Sequence, residues 1–227
     1  MNATKISIII PTLNEAITLQ ETLIHLKDIA GVEIIVADGG SQDETVEIAR
    51  SLGGRVIVAP AGRASQMNAG AGVATGDIFL FLHADTRLPS NFDILVRQAL
   101  QYPTTIVGAF ELRIDAQIQG LRLVEKMVNM RSHFLGMPYG DQAIFLKATV
   151  FHDISGFPDL PIMEDFELIR RLRRLGKIAI IPAPVLTSGR RWEKLGVVKT
   201  TLINQVIIAG YFLGVPPTRL VQWYRGR

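Results

Sequence analysis

Apolar runs recur at regular intervals through the first half of the chain. Ile6-Ser7-Ile8-Ile9-Ile10 is closed by Pro11, and similar runs cover residues 32–37, 55–59 and 78–82. Short apolar runs bounded by turn formers read as buried strands. Helical spacing lies between them. Leu19, Leu23 and Leu26 share one face of a helix over about residues 15–29, and Ser41 or Asp43 can cap another running through Ala49. Residues 64–75 are small and helix-compatible. Alternating elements with nearly all-apolar strands predict an α/β fold: a mostly parallel central sheet with helices on both faces.

The later pattern is looser. It predicts a helix over residues 91–102, a strand over 105–114, a helix over 120–135 and a short strand over 143–146. Then come a helix over 163–175 with a basic face (Arg170, Arg171, Arg173, Arg174), a strand over 177–181 and an apolar helix over 193–213. There is no repeat, low-complexity tract or linker, so residues 1–227 read as a single domain.

Composition narrows the function classes. With 48% apolar and 20% charged residues the chain is globular, and disorder is excluded. The absence of cysteine excludes disulfides, thiolate metal sites and cysteine nucleophiles. Charge is uneven. Residues 1–120 hold 8 basic and 13 acidic side chains, and residues 121–227 hold 16 and 8. A basic second half suits an anionic partner, with a diphosphate read by Arg190 or Arg191 as the first candidate. Peripheral membrane contact through Arg219, Trp223, Tyr224, Arg225 and the preceding apolar helix is the second. Nucleic acid is not expected, because few aromatic residues interleave the basic ones. The apolar stretch over 195–215 is broken by Lys199, Asn204 and Gln205, which suits a buried, interfacial or homodimer-forming helix better than a spanning one. The N-terminus lacks a signal-peptide pattern, so the expected location is cytoplasmic, with attachment to the inner membrane face as its variant.

Ligands in an open parallel sheet bind beyond the carboxyl ends of the strands. That places Glu15, Asp38 and Asp85, each following a predicted strand, at one edge. Gly70-Ala71-Gly72-Val73-Ala74-Thr75-Gly76 imitates a dinucleotide fingerprint, but it precedes a strand instead of following one. No phosphate loop or nucleophile elbow occurs. Strand-end acids facing a basic half suit a nucleoside diphosphate bridged to a carboxylate by a divalent cation.

These residues resemble family 2 glycosyltransferases. The matching blocks are Ile8-Ile9-Ile10-Pro11-Thr12-Leu13-Asn14-Glu15, Ile35-Val36-Ala37-Asp38-Gly39-Gly40-Ser41-Gln42-Asp43, and the stretch 63–77 containing Asn68 and Gly70. Phe81-Leu82-His83-Ala84-Asp85 stands where the family has its Asp-x-Asp motif. Met163-Glu164-Asp165 is similar to the Glu-Asp motif, and Arg190-Arg191-Trp192 to a degenerate Gln-x-x-Arg-Trp. Within the family the chain looks like a small bacterial subgroup named for arsenosugar biosynthesis. The resemblance implies a GT-A fold, a nucleoside-diphosphate-sugar donor (a UDP-sugar favoured), Mg2+ or Mn2+, and inverting transfer of one sugar to a small or lipid-linked acceptor. It implies a nucleotide-sugar-binding half, 1–115, and an acceptor and catalytic half, 116–227. By position, Pro11, Thr12, Glu15, Asp38, Arg63, Asn68, His83, Ala84, Asp85, Arg190 and Arg191 bind the nucleotide sugar, and Asp85 holds the metal. Gly140, Asp141, Gln142, Glu164 and Trp192 shape the acceptor site, and Asp165 is the general base. His83 departs from the motif by replacing its first Asp. The alternatives are a sugar-phosphate nucleotidyltransferase, against which the loop 11–15 offers no glycine or basic side chain, and a non-catalytic nucleotide-sugar-binding protein.

Overall fold

A computed structural model of the chain describes residues 4–226, with Arg225 described in its backbone alone. The expected role of the Arg225 side chain therefore lies outside the described residues. In chain order the elements are β1 (Ile6–Thr12), α1 (Ala16–Leu26), β2 (Val32–Asp38), α2 (Thr45–Ser51), β3 (Arg55–Val58), α3 (Arg63–Val73), β4 (Ile78–Phe81), β5 (Thr86–Arg87), α4 (Phe92–Ala99) and β6 (Thr105–Asp115). There follow α5 (Leu121–Leu135), a 3₁₀ turn (Gly140–Gln142), β7 (Phe145–Lys147), α6 (Ala148–Asp153), α7 (Glu164–Leu172), β8 (Lys177–Ser188), α8 (Arg190–Leu195), α9 (Val197–Phe212) and α10 (Pro217–Arg225).

The strands form one eight-stranded sheet in the order β3-β2-β1-β4-β7-β6-β8-β5. Pairing is parallel from β3 to β4 and between β6 and β8, while β7 and β5 are reversed against their neighbours. Side-chain alternation along β1 separates two cores. Ile6, Ile8 and Ile10 join Leu19, Leu23, Phe92 and Leu121 on one face, and Ile9 joins Met67, Phe151, Phe166 and Ile207 on the other. Helices thus cover both faces, as the strand composition predicted. Gly70 lies where a Cβ would come within 2.5 Å of Ile9 Cγ2. Gly70 thus serves close packing of α3 against the sheet.

Several boundaries differ from the pattern. Pro11 does not stop β1. The Ile9 carbonyl accepts from Leu82 N–H and the Thr12 carbonyl from Gly39 N–H, so Pro11 faces the β4 side, beyond the last pair, Ile9 with Phe81. No ladder donor is needed there. Strand β8 continues seven residues past Ile181, because a register shift pairs Phe110 with Ile181 and Glu111 with Pro184, bulging Pro182 and Ala183 out. The expected helix over 193–213 breaks at Gly196, whose φ of 79° opens α9, and α10 starts at Pro217 with Pro216 as its N-cap. Among the described residues, no helix is long and apolar enough to cross a membrane.

Helix α5 turns polar residues inward. Asn129 exchanges two hydrogen bonds with the Leu112 backbone, and Glu125 accepts from Ile114 N–H at 2.7 Å. These side chains satisfy backbone of β6 beyond its short pairing with β7.

Candidate active site

The site assembles where β1, β2 and β4 end. Their loops are tied together from α3. Buried Gln66 donates through Nε2 to the carbonyls of Thr12 and Ala37, both at 2.7 Å, and accepts from Gly62 N–H at 3.1 Å. Two strand ends and a helix start therefore share one amide. Asp38 is also buried. Its carboxylate accepts from Gly40 N–H, Ser41 N–H, the Ser41 hydroxyl and Thr12 Oγ1. Asp38 and Thr12 thus brace the loop after β2. Pro11 is half-buried at the end of β1.

His83 and Asp85 follow β4, with Ala84 buried between them and its carbonyl held by Thr22 Oγ1 at 2.9 Å. Asp85 Oδ2 accepts from Arg190 Nη2 at 2.9 Å, and the same nitrogen reaches Glu15 Oε2 at 3.1 Å. A guanidinium thus joins two strand-end carboxylates. Such a pair in a solvent-open cleft contributes only about 0–1 kcal/mol and is readily given up to a competing ion. Burial pulls the His83 imidazole down to about 4, helped by the Arg63 charge and partly offset by Asp85 and Asp165. His83 is therefore neutral at physiological pH, able to accept a hydrogen bond or ligate a cation.

The second half contributes the opposite wall. Asp165 sits in the first turn of α7, after Met163 in left-handed conformation at φ 68°. Its Oδ2 accepts from Gly140 N–H at 2.6 Å and its Oδ1 from Phe166 N–H at 2.7 Å. An ideal Cβ on Gly140 would lie 3.0 Å from Asp165 Oδ2 and 3.2 Å from His83 Nε2, so glycine lets the two walls meet. Neighbouring Glu164 is buried. Desolvation pushes its carboxyl up to about 7, the Asp165 charge adds to this, and Arg63 opposes it. Asp141 rises to about 6, chiefly by desolvation, with Arg131 opposing, and its Oδ1 has no hydrogen-bond partner. Burial works against the charge of Arg63, but Glu164, Tyr224, Asp165 and Asp85 outweigh it and hold the guanidinium firmly protonated.

The fold thus brings Glu15, Arg63, His83, Asp85, Gly140, Asp141, Glu164, Asp165 and Arg190 to one cleft. Other expected contacts do not face it. Asn68 makes a two-way hydrogen-bonded clasp with the Phe157 backbone, 2.9 Å each way, and so anchors a loop. Gln142 is fully buried. It donates to the Phe110 carbonyl and accepts from Ser132 and Tyr139, so it holds the 3₁₀ turn instead of an acceptor. Arg191 stacks 3.8 Å above the Tyr224 ring and donates to the Tyr224 carbonyl, joining α8 to α10 instead of reading a diphosphate. Trp192 is half-buried against the core. Sequence reasoning passed over Gln66, whose signal is its isolation as the long polar side chain among small residues of α3. It also passed over Arg131, which stacks 3.6 Å from the Tyr139 ring centre and frames Asp141. Among the described residues, no three His, Asp or Glu side chains gather to enclose a metal.

Known proteins place this geometry. A mycobacterial protein named PGL/p-HBAD biosynthesis glycosyltransferase (Mycobacterium bovis) is 42% identical over 97 residues, 39% of this chain and 38% of its own length. An uncharacterized glycosyltransferase of Rickettsia bellii is 40% identical over 85 residues, 37% of this chain and 29% of its own. The chain thus spans well under half the length of these curated relatives. A mannosyltransferase of Pyrobaculum calidifontis solved with GDP-Man and Mn2+ superposes with a TM-score of 0.65 at 22% identity, covering 81% of this chain and 56% of that one. Glucosyl-3-phosphoglycerate synthase of Mycobacterium tuberculosis, solved with Mn2+, UDP and glucosyl-3-phosphoglycerate, gives 0.64 at 20% identity over 94% of this chain and 81% of that one. Both likenesses identify the architecture as the GT-A fold. A family profile described as glycosyl transferase family 2 matches residues 7–157, and the chain belongs to that family.

Proposed function

We propose that the protein moves one sugar from a nucleoside-diphosphate sugar to an acceptor hydroxyl, with inversion at the anomeric carbon. The observation that carries this reading is Asp165. Its carboxylate, at the head of α7, is fixed by the Gly140 N–H of the 3₁₀ turn and by the N–H of its own neighbour Phe166, on a different segment from the strand end that presents Asp85. In-line displacement needs a base on the side opposite the leaving diphosphate, and a separate segment supplies it. Asp165 takes the proton of the acceptor hydroxyl while that oxygen bonds to the anomeric carbon. The bond from that carbon to the diphosphate oxygen breaks, and the nucleoside diphosphate leaves with the electron pair.

The donor set at Asp85 fits Mg2+ or Mn2+ of the kind held by one carboxylate, water and substrate phosphates. Asp85 would hold the ion, with neutral His83 two residues away, and bound there it would neutralise charge on the departing diphosphate. Solved proteins of the same fold carry GDP-Man or UDP together with Mn2+, which supports a nucleotide-sugar donor, a UDP-sugar first. Arg190 is placed to leave Asp85 and Glu15 for the incoming diphosphate, and Arg63 stays beside it. Gly140, Asp141 and Glu164 line the acceptor side. The unpartnered Asp141 oxygen is a ready hydrogen-bond acceptor for a substrate hydroxyl, on a small or lipid-linked acceptor alike.

The test is product analysis with UDP- and GDP-sugars, with Mn2+ or with chelator. Release of nucleoside diphosphate that depends on metal, Asp85 and Asp165 is the expected result. Pyrophosphate among the products would instead indicate a nucleotidyltransferase, and release unaffected by Asp165→Asn would overturn the assignment of the base.

A further inference from the structure

Helix α9 is apolar on both sides. Its inward residues Ile203, Ile207 and Tyr211 belong to the core, yet Val198, Leu202 and Val206 are 73%, 59% and 51% exposed. Those three recur every fourth position and form one stripe. The stripe continues into a groove of about 550 Å³ between α9 and Trp223 of α10, with Lys199 as its charged lining residue. At the far end of α9, Leu213 is 83% exposed. An apolar stripe of this kind on the outer side of a helix is normally covered, and this one is not.

Charge decides among covers. Residues 190–227 contain seven Arg and Lys and a single acid, Glu193. Arg190 and Arg191 are engaged with Asp85 and Tyr224, while Lys194, Lys199 and Arg219 stand exposed around the apolar stripe. A two-fold dimer through this face would set like charges against each other, because an isologous interface opposes a patch to itself. Crossing a bilayer is not open to α9, since no described helix is long and apolar enough. An anionic lipid surface matches both features. Its acyl boundary takes the stripe, its headgroup phosphates take the basic rim, and Trp223 sits at the depth that indole prefers.

We propose that α8, α9 and α10 dock the protein flat onto an anionic membrane surface through Val198, Leu202, Val206 and Trp223, with Lys194, Lys199 and Arg219 on the headgroups. Tyr224, stacked under Arg191, takes no part. None of these docking residues is among those gathered at the cleft, so this proposal does not rest on the transfer reading.

Vesicle flotation of the full chain tests it, with phosphatidylcholine vesicles and vesicles in which about a third of the lipid is phosphatidylglycerol. Binding at least about 10-fold tighter to the anionic vesicles is expected, lost at high salt. Lys199→Glu with Arg219→Glu should abolish the preference. Leu202→Ser with Val206→Ser should cut binding by a similar factor, and the exposure of both residues predicts an unchanged thermal melt. A blue shift of indole fluorescence on binding, absent in Trp223→Phe, locates the contact. Equal binding to both vesicles, no binding, or binding undiminished by the Leu202→Ser and Val206→Ser pair overturns the proposal. So does a dimer in lipid-free sedimentation that this pair dissociates.

Discussion

Replacing Gly140 by Ala isolates the geometry of Asp165, the proposed base. Gly140 has no left-handed φ, so alanine meets no backbone strain there. The whole perturbation is one methyl group, 3.0 Å from Asp165 Oδ2, 3.5 Å from Asp165 Cβ and 3.2 Å from His83 Nε2. Ordinary contacts need several tenths of an ångström more, so Asp165 must move away by about that much. Its 2.6 Å bond from Gly140 N–H lengthens with it. A misplacement of about 1 Å costs on the order of 10²-fold in rate, and a few tenths should cost roughly 3- to 10-fold in kcat. That corresponds to about 0.7–1.4 kcal/mol of transition-state stabilisation. Stability should change by less than about 1 kcal/mol, since reduced unfolded-state entropy offsets the crowding. Initial rates of nucleoside diphosphate release at saturating donor measure kcat, and calorimetry measures donor affinity, which should hold. In an Asp165→Asn background the added Gly140→Ala should cost nothing more, because residues acting as a unit are not additive. A wild-type kcat, or a loss that persists without the Asp165 carboxylate, would refute the reasoning.

Asp165→Asn should lower kcat by about 10²–10⁴-fold with nucleotide affinity nearly unchanged, while Glu164→Gln, which mimics the protonated form of a carboxyl that titrates at about 7, keeps most of its turnover. Glu164 also sets a pH dependence. Its carboxyl titrates at about 7 folded against an ordinary 4.5, so the folded state holds the extra proton and stability falls as pH rises from about 4.5 to 7. Glu164→Gln should accordingly raise the melting temperature at pH 8, by on the order of 1–3 kcal/mol of stability, and much less at pH 5; an equal effect at both pH values would count against the raised value. Gln66→Ala strands the Thr12 and Ala37 carbonyls and should cost about 2–4 kcal/mol, a fall of roughly 5–12 °C by calorimetry, with weakened donor binding.

The first four strands and the helices between them were legible because their periods are unambiguous: β1 is mostly and β4 wholly apolar, and α1 repeats leucine on one face. The end of β8 was not, since two prolines normally close a strand and only the pairing partner β6 shows that one of them is bulged out. The breaks in the last apolar stretch were masked because Gly196 and Gly214 sit inside an otherwise helical composition. In the site, Glu15 and Asp85 follow strand ends, as the topology rule demands, while Asp141 comes from the 3₁₀ turn and Glu164 and Asp165 from the head of α7. The rule cannot tell a polar side chain that meets a ligand from one that turns back to brace backbone. Asp38, Asn68 and Gln142 all turned back. Arg131 was invisible for a different reason. Its partner Tyr139 lies in a loop whose path only the fold defines.

The clasp between Asn68 and Phe157 has an evolutionary meaning. It binds α3 to the residue at which the family profile ends, eight positions before Asp165. The part of the chain that the family profile matches is thus tied down just upstream of the segment that carries the proposed base. Chain beyond that clasp can be exchanged or redesigned while the packing around α3 keeps its shape, provided the incoming chain keeps the backbone position of Phe157 that meets Asn68. Recombination that joins one member's first 150 residues to another's remainder should succeed when the incoming loop presents the same backbone to Asn68, and should misalign the base when it does not.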